Sequence, residues 1–172
     1  MEIANFIVGA LESLGVLAGV VFAIVEWREH KKIRNAEMLM RFSRDFENDP
    51  SIAEFFKKVD YGERWYDGEF HDSPFEKKVD YTLGILCHYV KMIDYNIIEE
   101  KDFYAFNYVI RRVLQNHDAQ TYLFNLLNYT ARIKSSFPFA SLVEYGKSKG
   151  ILDETFFNAE LGVKKYGKTL NW

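Results

Sequence analysis

The sequence predicts an all-α protein in which one N-terminal transmembrane helix continues into a cytoplasmic bundle of five to six helices. Three observations predict this class. The chain begins with a long apolar run, apolar residues recur every three or four positions in most later segments, and no stretch alternates apolar and polar residues with a period of two. Spacing of three and four is typical of helices, whereas alternation is typical of strands.

The apolar run, which spans residues 3–25, contains Glu12 as its only ionisable group. As a helix it would rise about 35 Å, enough to cross the ~30 Å hydrocarbon layer of a bilayer. A signal peptide is the alternative, but it would require basic residues before the run and a small-x-small cleavage site after it. The chain instead begins Met-Glu, and the run is followed by Glu-Trp. We therefore expect residues 1–26 to form a transmembrane helix.

The flanks of this run predict its orientation. A basic collar follows the run, and no Lys or Arg precedes it; the collar consists of Arg28, Lys31, Lys32 and Arg34. Basic residues favour the cytoplasmic side of a span. We expect a single-pass protein of the bacterial inner membrane, with its N-terminus outside and residues 27–172 forming a cytoplasmic helical domain. The collar would also contact anionic membrane lipid, and in an oligomer it would line the cytoplasmic mouth of a pore.

Glu12 is the first candidate functional residue. A carboxylate within a membrane is costly when it faces lipid, so it should face protein, water or its own copies. Small residues that allow helices to approach closely lie near it, namely Gly9, Ser13, Gly15 and Gly19. Gly15 and Gly19 form a GxxxG pair. We expect a homo-oligomer, in which Glu12 either rings a wet lumen or is protonated and hydrogen-bonded across a dimer or trimer interface.

The remaining helices are predicted from apolar spacing and from helix start and stop signals. The first helix should continue to about Asn48, where Asn-Asp-Pro stops it. Ser73 followed by Pro and Glu signals a helix start. Trp65, Tyr66 and Phe70 are expected to order the preceding loop in part. The predicted later helices are Ser51–Tyr61, a helix from Ser73 to Asn96, Glu99–Asn116, a helix capped by Asp118, Phe139–Lys149 and Asp153–Glu160.

Composition narrows the functional classes. After the first 25 residues the chain carries 22 basic and 23 acidic residues, so it lacks the basic excess typical of nucleic-acid-binding domains, and direct binding of RNA is not expected. Cys87 is the sole cysteine, which excludes an intrachain disulfide and suits a reducing compartment. The four histidines have no metal-ligand spacing. We expect no metal and no cofactor.

One pattern could carry catalysis, an arginine followed by a histidine in Arg111-Arg112-Val-Leu-Gln-Asn-His117. Such a pair could cut RNA without metal, because His can move the proton of the 2′-hydroxyl while Arg stabilises the charge on phosphorus. On one continuous helix the side chains would diverge by more than 100°, so they converge only if the helix breaks near Asn116 or if a second subunit supplies one partner. His117 also continues an apolar stripe, which favours a structural or capping role. Arg64 and His71 match the same spacing in a loop.

The single span, the length of 172 residues, the helical domain and the Arg112–His117 motif together resemble the small membrane accessory proteins of type VI-B CRISPR loci. The resemblance covers the whole chain in layout, but only Arg111, Arg112 and His117 match as a motif. It implies a HEPN-like domain and an oligomeric inner-membrane pore, which depolarises the cell once an RNA-guided ribonuclease has cut viral RNA. The resemblance therefore implies a functional link to an RNA-guided CRISPR ribonuclease. HEPN nucleases favour a polar Asn, His or Asp after the motif arginine, where this chain has Arg112 or Val113.

Three functions follow from the sequence. The first is a homo-oligomeric pore that perturbs or depolarises the membrane in antiphage defence, without enzymatic activity. The second is a membrane-tethered ribonuclease with a composite Arg/His site. The third is a scaffold whose helical domain docks another protein while the span serves as an anchor.

Overall fold

The computed structural model describes residues 2–167, apart from the side chains of residues 2–14, 42, 45 and 102–105. This part of the chain contains α-helices and one 3-10 helix but no β-strand, which confirms the predicted all-α class. The helices are α1 (Glu2–Asn48), α2 (Pro50–Tyr61), α3 (Pro74–Asp94), the 3-10 helix Glu100–Phe103, α4 (Tyr104–Gln115), α5 (His117–Arg132), α6 (Ala140–Ser148), α7 (Glu154–Phe157) and α8 (Ala159–Tyr166).

Local signals determine where the first helices begin and end. The predicted continuation of α1 to Asn48 is confirmed. Asp49 then caps α2, since its side chain accepts a hydrogen bond from the Ser51 amide at 2.7 Å and proline occupies the first helical position. At α3 the predicted start is also confirmed, because the Ser73 hydroxyl accepts from the Glu76 amide at 3.1 Å.

The chain divides into two compact units, Met1–Asp45 and Phe46–Trp172. In the second unit α3 packs against α2 and α6, while α5 packs against α4 and α8. The stripe predicted for α3 forms the centre of this unit, where Val79, Leu83, Leu86 and Val90 are at most 1% exposed. Burial of this stripe stabilises the second unit.

The loop between α2 and α3 is well packed although it is not helical. Trp65, Tyr66 and Phe70 are buried, which confirms the predicted ordering. Their rings pack at tilted and edge-to-face angles against one another and against Tyr122 of α5, with ring centroids 5.2–6.4 Å apart. Aromatic pairs in this geometry contribute beyond the area that they bury. The loop is therefore part of the core of the second unit.

Two details of the prediction are wrong. Seven α-helices follow α1 in the described chain, rather than the expected five or six. One reason is Asn158, whose side chain accepts from the Glu160 and Leu161 amides and starts a new helix within the expected Asp153–Glu160 segment. The second error concerns the cap of α5. Asn116 caps this helix by accepting from the Ala119 amide at 3.0 Å, and Asp118 is buried inside the first turn.

Candidate functional site

The predicted membrane segment is only partly described. Gly9 and the side chains of Glu12 and Ser13 lie outside the described residues, so their predicted place at a pore or an oligomer interface stays a prediction. Gly15 and Gly19 lie on α1, and a methyl group added at either position would meet no atom within 4 Å. In the single chain this GxxxG pair is therefore open to an approaching helix.

The described part of the apolar run is exposed on every side of α1. All residues from Gly15 to Arg34 are exposed, and Phe22, at 69%, is the most exposed of its large apolar side chains. Within the part of the chain that the structure describes, no helix is both long enough and apolar enough to cross a membrane.

The basic collar also lies on α1. Arg28, Lys31, Lys32 and Arg34 are all exposed, and Lys32 forms an ion pair with Glu29 at 3.0 Å. Exposed pairs of this kind contribute little to stability. Farther along the helix Arg34 lines a shallow hollow of about 230 Å³ together with Glu37, Met38 and Arg41.

The second unit contains a cleft of about 460 Å³ that includes the predicted Arg/His motif. The helix breaks at Asn116, as the convergence of the two motif residues requires, and α4 and α5 meet there. Arg112 from α4 and His117 from α5 both line the cleft, whereas Arg111 is exposed and does not. The complete lining is Val59, Asp60, Gly62, Glu63, Arg64, Arg112, Gln115, Asn116, His117 and Asp118.

Arg112 is already engaged within the chain. Its guanidinium pairs with the Asp60 carboxylate at the end of α2 and lies over the ring of Tyr108, 5.1 Å from the centroid. An arginine carries five N–H donors in a planar fork, so one carboxylate partner leaves donors for a ligand. Arg112 is thus fixed in place by α2, while it retains part of its capacity to bind an anion.

His117 is exposed, which makes the prediction of a place in an apolar core stripe wrong. As the first residue of α5 it points away from the stripe that continues through Leu123. Its ring lies 6.3 Å from that of Tyr166 at an interplanar angle of 33°. The imidazole is therefore accessible from the cleft for proton transfer.

Sequence reasoning missed the acidic side of the cleft. Asp118 is buried, accepts the amides of Trp65 and Tyr66 at 2.7 and 3.2 Å, and pairs with Arg64 at 3.4 Å. Arg64 is thereby joined to this cleft and not to His71, the histidine with which it shares the motif spacing. No local pattern could have found this arrangement, because it depends on loop residues that meet α5 about 50 positions later.

The cleft is lined by both basic and acidic side chains. Arg64 and Arg112 line it together with Asp60, Glu63 and Asp118, and each arginine has a carboxylate partner. Pairing weakens the attraction of the cleft for a polyanion, since a phosphate must compete with carboxylates for the same donors. Among the described residues no group of three or more His, Cys, Asp and Glu side chains could hold a metal ion.

Comparisons with protein-family models, with curated proteins and with solved structures find no match for this chain.

Proposed function

We propose that this protein is a homo-oligomeric, pore-like protein of the bacterial inner membrane, which perturbs or depolarises the membrane as an accessory effector of CRISPR antiphage defence. The observation that carries the proposal is the apolar part of α1, whose side chains from Val16 to Trp27 are exposed around the whole helix. A helix that is apolar on all sides is stable only when lipid or protein surrounds it.

The order of residue types along α1 indicates that lipid, more than protein, surrounds its apolar part. The apolar run ends at Trp27, a residue type enriched at the membrane interface, and the exposed basic collar follows at once. In this arrangement the second unit lies on the cytoplasmic side. The collar would then meet anionic headgroups on the inner leaflet.

Glu12 favours assembly over a simple anchor. A lone membrane helix would expose this carboxylate to hydrocarbon at a cost of roughly 3 kcal/mol or more. Several copies can instead direct the carboxylates to a shared, hydrated axis, and the open Gly15–Gly19 pair allows close approach of neighbouring helices. A ring of carboxylates would prefer cations. The link to an RNA-guided ribonuclease rests on the family resemblance.

Membrane depolarisation in cells tests this function. We expect expression of the protein with its CRISPR ribonuclease to change the signal of a potential-sensitive dye after phage challenge, and Glu12→Leu to abolish the change. Glu26→Leu is the matched control, because it removes a carboxylate from the same helix beyond the apolar run. An unchanged dye response in Glu12→Leu at equal protein level would contradict a lumen role. The mass of the detergent-solubilised complex, measured by light scattering, should correspond to several copies.

A second function, metal-independent RNA cleavage, is favoured by one observation: the helix break at Asn116 brings Arg112 and His117 to one cleft. Purified protein incubated with single-stranded RNA tests it. Cleavage that is lost in His117→Ala and retained in His88→Ala, a change at an exposed histidine of α3, would support a ribonuclease. An inert preparation would contradict this second function.

A further inference from the structure

The part of α1 that follows Trp27 carries apolar side chains on one exposed face. This part continues to Asn48, about 30 Å of helix. Ile33 and Met40 are 55% and 66% exposed, and Ala36 between them is also exposed. Residues spaced by three and four positions lie on one face of a helix. Ile33, Ala36 and Met40 therefore form one exposed apolar strip, which we call the seam.

The seam follows the same seven-residue register as the apolar run before it. Gly19 and Glu12 precede Ile33 by 14 and 21 residues, and Gly15 precedes Ala36 by 21 residues. A repeat of seven keeps such positions on one line when helices wind around each other with a left-handed twist. A neighbouring helix that packs against the open Gly15–Gly19 pair is therefore directed along the seam as well.

Acidic residues interrupt this register between the two segments. Glu26 and Glu29 occupy the intervening positions, and each lies beside a basic side chain of its own helix, His30 at 3.7 Å and Lys32 at 3.0 Å. The seam by itself spans two helical turns, fewer than the three or four heptads typical of a coiled coil. It would thus strengthen an association that the apolar run begins, because the run holds the copies at high effective concentration.

Charged residues beside the seam favour a parallel neighbour. In a parallel pair of helices, the residue directly before an Ile33-type position faces the residue five positions later on the partner helix. Here these residues are Lys32 and Glu37, which carry opposite charges and are both exposed. The ion pair of Lys32 with Glu29 is exposed and contributes little, so its exchange for Glu37 costs little. Copies that share one membrane orientation are parallel.

Lipid would not cover the whole seam. Met40 follows Trp27 by 13 residues, about 20 Å along the helix. The headgroup region on each side of a bilayer is only about 5–8 Å thick. With Trp27 at the membrane interface, the end of the seam lies beyond the lipid, so protein is the surrounding that can bury it.

We propose that the seam packs against α1 of a second copy of this chain in parallel orientation, with Lys32 of one copy paired with Glu37 of the other. This inference rests on the proposed homo-oligomer and names one contact of that oligomer outside the membrane. The contact joins the copies next to the basic collar, so it would hold neighbouring collars close together.

Crosslinking through introduced cysteines tests the contact in the full chain in mild detergent. Met40→Cys places a thiol on the seam, whereas Lys31→Cys places one on the opposite side of the same helix at an exposed position. The native thiol of Cys87 is buried, so the unchanged protein gives the background. With a short bis-maleimide, we expect a several-fold larger crosslinked fraction in Met40→Cys than in Lys31→Cys.

The mass of the uncrosslinked complex separates the two ways in which this test can fail. Equal crosslinking of Met40→Cys and Lys31→Cys in a complex of several copies would overturn the seam contact and leave the proposed oligomer intact. A complex with the mass of one copy would overturn both.

A charge reversal tests the pairing across the contact. In the Met40→Cys protein, Lys32→Glu should lower the crosslinked fraction several-fold, because two carboxylates then face each other, and the addition of Glu37→Lys should restore it. The loss of the local Lys32–Glu29 pair cannot explain such a rescue, since that pair stays broken in the double variant. Arg34→Glu is the matched control, because it changes the charge equally at a position away from the seam, and the fraction should not change. A double variant that crosslinks no better than Lys32→Glu alone would contradict the pairing.

Discussion

The two units of this chain use apolar residues in opposite ways. In the first unit the apolar side chains from Val16 to Trp27 are between 45% and 69% exposed where they are large. In the second unit the large side chains at the centre, such as Phe55 and Tyr122, are at most 2% exposed. The second unit thus completes its own core, whereas the apolar part of α1 is exposed in the single chain. Stability and assembly should therefore respond to different residues.

Phe55→Ala and Phe22→Ala make the same chemical change in the two units. We expect them to show the largest difference in the free energy of unfolding. Phe55 is fully buried, so its removal should lower the free energy of unfolding of the second unit by about 4 kcal/mol. Phe22→Ala should change that quantity by less than about 0.5 kcal/mol and should instead weaken association with lipid vesicles. Urea unfolding followed by circular dichroism and vesicle flotation measure the two effects. Equal loss of unfolding free energy in both variants would remove the distinction between the units.

Asp118→Ala should lower the free energy of unfolding of the second unit nearly as much as Phe55→Ala does, although it removes a carboxylate and not an apolar side chain. Its removal leaves the Trp65 and Tyr66 amides without their acceptor in a buried loop. We expect a loss of about 3 kcal/mol and fast amide exchange in residues 62–73. Asp67→Ala is the control, since that exposed side chain accepts a local amide, that of Glu69. A loss below that of the control would mean that Asp118 does not fasten the loop.

Replacing a glycine by alanine should destabilise the second unit but stabilise the first. At Gly162 a methyl group would collide with the Phe124 ring and lie 2.9 Å from the Thr155 carbonyl, so Gly162→Ala should cost about 2 kcal/mol. At Gly15 a methyl group meets nothing, so Gly15→Ala should stabilise α1 by up to about 1 kcal/mol. Thermal unfolding and the mass of the complex measure the two outcomes. A lower mass of the complex in Gly15→Ala would indicate that a helix of a neighbouring copy packs against α1 at this position.

The smallest effect should come from a surface ion pair of the second unit. A hydrogen bond from Lys149, aided by one from Tyr145, lowers the pKa of Glu100. A lowered pKa in the folded state stabilises the protein above the ordinary pKa of the carboxyl group, and this contribution is lost as the pH falls through the folded value. Glu100→Gln should therefore cost about 0.5 kcal/mol at neutral pH, since the pair is partly exposed. The difference should vanish in acid, as measured by urea unfolding at several pH values; a constant difference would exclude this ionisation as its cause.

Local features were predictable from the sequence because their causes lie within a few residues. The Ser73 cap, the stop before Pro50 and the buried stripe of α3 each depend on neighbours within one or two helical turns. The predicted cap of α5 was nevertheless wrong, because two residues near its start can both act as a cap. Asn116 and Asp118 can both cap a helix, and the structure uses the former as the cap and buries the latter.

The cleft could be predicted only in part. The spacing of Arg112 and His117 predicts a site, but its acidic members come from elsewhere. They are Asp60 at the end of α2, Glu63 of the loop and Asp118, the predicted cap of α5. Their contribution depends on how α2 meets α4 and how the loop meets α5, which are long-range contacts without a local pattern. The same holds for Tyr66, whose hydroxyl lies 3.4 Å from His71 Nε2 in the same loop and accepts from Asn125 of α5.

Trp65 gives the second unit an internal optical reporter. Its indole Nε1 is buried and has no hydrogen-bond partner among the described residues, and the ring lies within an aromatic shell. An indole without polar contacts emits at short wavelength, whereas Trp27, 61% exposed in the single chain, would shift its emission when lipid replaces water around it. With Trp172 changed to Phe, the two emissions would follow the folding of one unit and the proposed membrane contact of the other in a single sample.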